Sequence, residues 1–173
     1  MNRCIPVAGV YVFLSKHSSS LSSPTTPING DVHVYSTNIN DVLVSSTEAE
    51  IGALFLNTKQ TIAIHTNLDD LSHPHYPTPI QTYNKCTVGI VNDTVKQKRS
   101  KAVYMRLYWI IYCVRQVHIL VHWRPGSANI GEYFTKHFKS SHHRKVHPIL
   151  FVPTSAKREK PIPDIFTIAP SFQ

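Results

Sequence analysis

The chain's architecture is most tightly limited by a change of hydrophobic period in its second half. Val103, Leu107, Ile110, Ile111 and Val114 recur at i, i+4, i+7, i+8 and i+11, one apolar stripe on a helix that begins near Ser100 and carries Arg106 on its polar side. Three residues later the period drops to two. Val117, Ile119, Val121 and Trp123 alternate with His118, Leu120 and His122, a strand pattern broken once, and Arg124-Pro125-Gly126 closes it with a turn. A helix followed at once by a strand places the chain in a mixed class.

The remaining segments extend that reading. Gly9 to Leu14 is a β-branched and aromatic run that enters a polar stretch, Ser15 to Asn29. Val32 with Val34, and Val42 with Val44, predict a second and a third strand in a hairpin-like arrangement. Thr47-Glu48-Ala49-Glu50 reads as a capping box, with Thr47 as the cap and Glu50 reaching back. The helix that follows buries one face through Ile51, Leu54, Phe55 and Ile62 and fades between Asn67 and Pro74. Pro79 to Tyr83 predicts a short strand, Cys86 to Val91 a turn or two of helix, and Asn129 to Phe138 a last short helix. This order gives an α/β domain over residues 1–138, with an antiparallel hairpin at one side of a mixed sheet. Residues 139–173 are basic, rich in His and Pro and without sustained periodicity, and are expected to be a poorly structured tail.

Composition narrows the function classes. No run nears the roughly 20 apolar residues that span a bilayer, so no membrane partner is expected. Cys4, Cys86 and Cys113 are odd in number and far apart, which argues for free thiols and an intracellular, reducing compartment. Eighteen Lys and Arg against ten acidic residues give a net charge of +8. No acidic residue lies between Thr94 and Gly131, where Lys96, Lys98, Arg99, Lys101, Arg106, Arg115 and Arg124 all fall. That block is the candidate phosphate-binding surface, with nucleic acid rather than a small molecule as the partner, the alternative being a solvated basic face that serves solubility. The histidines at 137, 142, 143 and 147 fit no zinc-ligand spacing, and Lys139, Arg144 and Lys145 beside them repel a cation.

A series of segments resembles the RNase H domain of copia-type retrotransposon polyproteins, the C-terminal part of the reverse transcriptase and RNase H region. Val44-Ser45-Ser46-Thr47-Glu48-Ala49-Glu50 followed by Gly52-Ala53-Leu54 is similar to the family's most specific signature. Pro77 to Thr82 followed by Asn84 resembles the strand that ends in Asp-Asn, and Lys98-Arg99-Ser100-Lys101 through Arg106 resembles the basic segment and its helix. Trp123-Arg124-Pro125-Gly126, Asn129 and Tyr133 to His137 resemble the closing turn and helix. The resemblance covers roughly residues 5 to 150.

It implies an RNase H-like mixed sheet with flanking helices and hydrolysis of the RNA strand of RNA–DNA hybrids by two Mg²⁺ ions held between carboxylates. The family uses three aspartates and a glutamate, and the correspondence is uneven. Glu50 matches the catalytic glutamate. The first aspartate belongs to a strand before Gly9 to Leu14 that is missing here, which leaves that neighbour's edge exposed. The second is replaced by Tyr83, a neutral phenol. The third becomes Glu132, whose extra methylene moves its oxygens by about 1 Å, a shift that can cost ~100-fold in rate. The metal set is then reduced to Glu50 and Glu132, and no Mg²⁺ is expected to bind productively. The resemblance therefore implies a truncated, catalytically inactive retrotransposon-derived domain with weak nucleic-acid binding through Lys98, Arg99, Lys101, Arg106 and Arg124. Its alternatives are an active RNase H within a longer polyprotein and a transposon relic without a function.

Overall fold

The computed structural model describes residues 6–15, 31–40, 43, 45–73, 75–95, 104–126, 129–151 and 164–168. It is a mixed α/β fold. The strands are β1 (Val7–Ser15), β2 (His33–Asn38), β3 (Thr78–Thr82), β4 (Ile119–Trp123) and β5 (Asp164–Ile168). The helices are α1 (Ser46–Asp70), α2 (Lys85–Val91), α3 (Tyr104–Arg115) and α4 (Ser140–Leu150), with a 3₁₀ helix at Ile130–Phe134. The strands form one sheet in the order β2-β1-β5-β3-β4. β1 is antiparallel to β2 and to β5, whereas β3 is parallel to β5 and to β4.

Two expectations are corrected by β5 and α4. The tail is not structureless, because residues 140–150 form a helix and 164–168 form the central strand of the sheet. The edge of β1 that was expected to be exposed is not, since β5 pairs with it from Tyr11↔Ile168 to Ser15↔Asp164. The sequence Asp164-Ile-Phe-Thr-Ile168 is too short to reveal itself by period, yet its β-branched and aromatic content suits a paired strand.

β1 is buried on both faces, and its alternation sorts the layers. Val10 and Val12 pack beneath Ile64 and Leu68 of α1, and Ala8 beneath Ala53. Tyr11 and Phe13 face the other way, onto Ile130, Tyr133 and Phe134 of the 3₁₀ helix and Val146 and Leu150 of α4. Helices therefore cover both sides of β1. Gly9 makes the second contact close, because a Cβ there would stand 2.7 Å from the Gly131 carbonyl oxygen and 2.7 Å from Thr135 Cγ2. The larger core lies at the parallel pair, where Ile80, Ile119 and Val121 meet Ile51, Leu54, Ile90, Leu107 and Ile110. Each such side chain contributes about 1.5–3 kcal/mol by leaving water.

Several boundaries differ from the sequence reading. Ser45, not Thr47, caps α1, and its side chain accepts from the Glu48 N–H at 3.2 Å. The cap is thus two residues earlier, which leaves Glu50 to point inward. The first turns of α1 are buried on every side from Glu48 to Leu54, not on one face, because the sheet, α2 and α3 surround them. The last helix shrinks to the 3₁₀ turn Ile130–Phe134, and the strand expected at Val42 and Val44 falls outside the described residues.

Val117 is not the first residue of β4 but a turn residue at φ 60°. His118 N–H donates to the Cys113 carbonyl at 3.0 Å and Val117 N–H to that of Val114 at 3.0 Å, a Schellman ending of α3. Ser72 and Asp93 occupy the same left-handed position after α1 and α2. A β-branched residue there is strained, whereas glycine is not. Val117→Gly is expected to raise the urea midpoint of unfolding by the equivalent of roughly 1 kcal/mol. Gly9→Ala should lower it by about 1–3 kcal/mol through overpacking. Equal midpoints for either variant and the parent chain would contradict these assignments.

Candidate functional site

The site lies where the parallel pair ends. β3 and β4 run together from Thr78↔Ile119 to Thr82↔Trp123, and ligands of open α/β sheets bind beyond the carboxyl ends of such strands. Val12 and Ile80 both pair with Thr167, one antiparallel and one parallel. The carboxyl end of β3 therefore lies at the amino end of β1, the end at which Gly9 meets Gly131.

α1 delivers Glu50 to this end. The residue is fully buried, and its Oε1 accepts a hydrogen bond from the Thr82 hydroxyl. Its Oε2 is buried without a hydrogen-bond partner among the described residues. Burial, opposed by the Thr82 bond, pushes its pKa up to about 8. A carboxyl in such surroundings is neutral at pH 7.

Tyr83 follows at once and is half-buried, and its carbonyl accepts from Trp123 Nε1 at 2.8 Å. The next residue, Asn84, caps α2 by accepting from the Thr87 N–H at 3.1 Å. Lys85 Nζ stands 4.3 Å from the centre of the Trp123 ring, and Arg124 N–H donates to the Thr82 carbonyl at 2.9 Å. The Glu50 carboxyl and the Thr82–Tyr83 junction are thus brought together by α1 and β3.

Glu132 reaches the same end of the sheet on a different layer. Its 3₁₀ helix covers the Tyr11 face of β1, whereas α1 covers the Val10 face. Its carboxylate is paired with Lys136 one turn on. Among the described residues, no three His, Cys, Asp or Glu side chains are grouped so as to hold a metal ion.

Of the expected phosphate contacts, Lys98, Arg99 and Lys101 lie outside the described residues. Arg106 lies on the Phe55 ring, 5.4 Å from its centre, and Arg124 is half-buried. Arg115 is exposed and paired with Asp93 at 3.1 Å, an exposed ion pair of small worth. No helix of the described residues is long and apolar enough to cross a membrane.

The sequence reading missed Thr82 as the partner of Glu50 and Trp123 as the clamp on Tyr83. It also missed a histidine cluster at the opposite end of β3. His65 of α1 is buried against the Thr78 hydroxyl, its ring centre 4.0 Å from that of His75, and His75 Nε2 lies 3.2 Å from Asp69 Oδ1. Burial, then His75 and His118, hold His65 down at about pKa 4, with Asp69 opposing. Burial, then Arg124, does the same to His122, opposed by a backbone bond to Leu120. Nothing in the spacing of these residues signals their meeting.

Comparison with protein-family models, with curated proteins and with solved structures finds no match to this chain.

The titrations have opposite signs. Glu50, raised in the fold, favours folding below its unfolded pKa near 4.5, and that stability is lost as pH rises toward 8. His65 and His122, lowered in the fold, favour folding above pH 6.5, and that stability is lost as pH falls toward 4. Glu50→Gln isolates the first. Its stability relative to the parent chain should rise steadily from pH 4.5 to 8, read from paired urea titrations. A difference independent of pH would mean that Glu50 ionises freely in the fold.

Proposed function

We propose that the chain is a retrotransposon-derived RNase H-like domain, ancestrally a nuclease for the RNA strand of RNA–DNA hybrids and now catalytically inactive. The observation that carries this reading is the buried Glu50 carboxyl held by Thr82 immediately before Tyr83. The resemblance asks for a glutamate on the first long helix to meet the end of a strand bearing an aspartate. Here the helix and the strand end meet, and the aspartate position is a phenol. A carboxyl with an unpartnered oxygen in the core is costly for a merely structural group and makes sense as an inherited ligand. A helix-covered mixed sheet with an antiparallel pair at one side and a parallel pair at the other is compatible with the family's architecture.

The present residues do not fit two Mg²⁺ ions. Hard cations need converging carboxylate oxygens. Tyr83 offers a phenol where a carboxylate would be needed, Glu132 is engaged by Lys136, and burial raises the pKa of Glu50. No step of hydrolysis is therefore assigned to this chain. What remains is polyanion binding through the basic block between Lys96 and Arg124, governed by phosphate contacts and indifferent to base sequence.

Two outcomes test the reading. In Mg²⁺ the chain should leave the RNA of a hybrid intact, and Tyr83→Asp with Glu132→Asp should restore little cleavage, because a further carboxylate is still lacking. Strong hybrid-specific cleavage abolished by Glu50→Gln would overturn it. Affinity for a hybrid should fall steeply between low and physiological salt, on the order of tenfold or more for several phosphate contacts. A flat salt titration would remove the basic surface from the account.

A further inference from the structure

The alternation along β4 puts Trp123 on the same face as Ile119 and Val121, both of which are buried in the larger core. The core ends one step before it. Trp123 is 41% exposed, at the register position of Thr82 where the parallel pair stops. Its indole is nevertheless fixed in place, because Nε1 donates to the Tyr83 carbonyl at 2.8 Å and the ring has no other polar group to satisfy. A large flat ring held still in solvent offers a contact surface.

Two cations flank that surface. Lys85, the first residue of α2, is exposed, with Nζ 4.3 Å from the ring centre, and Arg124 follows Trp123 directly. Among the described residues neither has a carboxylate partner. Glu48 and Glu50, in the first turns of α1, are buried, and Glu132 is paired with Lys136. Attraction of an ammonium to the face of an indole would by itself explain Lys85 as a cover for Trp123. It does not explain the uncompensated charge of both cations at the sheet end where open α/β sheets bind their ligands.

The chemistry that fits is an unpaired nucleobase with its phosphates. The base stacks on the indole, and the ammonium and guanidinium meet the backbone. A duplex keeps its bases stacked within the helix and presents only phosphates to such a ring.

We propose that Trp123, flanked by Lys85 and Arg124, is a stacking site for an unpaired base, so that the chain binds single-stranded nucleic acid at this end of the sheet beyond its phosphate contacts with duplexes. This rests on the reading of the chain as a nucleic-acid binder and is independent of whether it was ever a nuclease.

The test uses the full chain and its own fluorescence. The chain has two tryptophans, and Trp109→Phe leaves Trp123 as the sole indole while keeping an aromatic ring against Phe55. Oligothymidylate or oligouridylate should quench the emission of this variant, and a duplex of the same length should bind without comparable quenching. The tighter of the two single strands tells DNA from RNA. Trp123→Ala should weaken single-strand binding, read by anisotropy of a labelled oligonucleotide, on the order of tenfold and leave duplex affinity unchanged. Trp123→Phe keeps a ring at the end of β4 and should retain most of the single-strand affinity. Emission that does not change at single-strand saturation would overturn the proposal. So would equal losses of single-strand and duplex affinity in both Trp123 variants, which is the behaviour of a ring that only supports the fold. If neither nucleic acid binds, the proposal falls together with the nucleic-acid reading, whereas duplex binding without single-strand quenching removes the stacking site alone.

Discussion

Pairing of one short strand on both of its edges is the constraint on which the rest of this structure depends. With β5 between them, the antiparallel and parallel halves share one sheet, and their directions bring the amino end of β1 to the carboxyl end of β3. α1 can then lie across both halves, placing Ala53 on Ala8 and Glu50 on Thr82. The same alignment lets the 3₁₀ helix close over Gly9 at that end. Without a shared sheet, the helix would have two separate surfaces to cover and no fixed place for its carboxyl.

The chemistry of the site follows from burial more than from charge. Glu50 lies among apolar and neutral neighbours with a hydroxyl as its partner, so the neutral acid is the stable form. Metal-binding carboxylates need the reverse, an arrangement in which several anions are tolerated because a cation neutralises them. Beside Glu50 the strand end carries Tyr83, and the Glu132 carboxylate is taken up by Lys136.

Much of the fold was legible in the sequence because it rests on local period. The stripe that ends at Val114 and the alternation that begins at Ile119 correspond to α3 and β4, and Leu107, Ile110, Ile119 and Val121 pack into the larger core. Val117 was misread because an apolar residue extended the alternation, whereas the helix ending above it requires a left-handed turn residue. The cap of α1 was misplaced for a related reason. Ser45-x-x-Glu48 and Thr47-x-x-Glu50 both satisfy the capping pattern, and only the inward path of Glu50 distinguishes them. β5 and the cluster of His65, His75 and His118 depend on contacts between distant segments, for which neither period nor spacing leaves a mark. The Glu50 and Tyr83 pairing came from a resemblance between motifs. Thr82 was inside the same motif, but nothing in its type marked it as the partner.

The account stands on Glu50 being a buried, neutral carboxyl rather than a metal ligand. Its ionisation can be followed directly by carbon-detected NMR of the side-chain carboxyl, with and without millimolar Mg²⁺, assigned by loss of the signal in Glu50→Gln. The structure predicts a midpoint at about pH 8, and the proposed inactive reading predicts that Mg²⁺ does not move it. A midpoint in the ordinary range for glutamate, or one drawn down by Mg²⁺, would contradict it and return this carboxyl to the role of a working ligand.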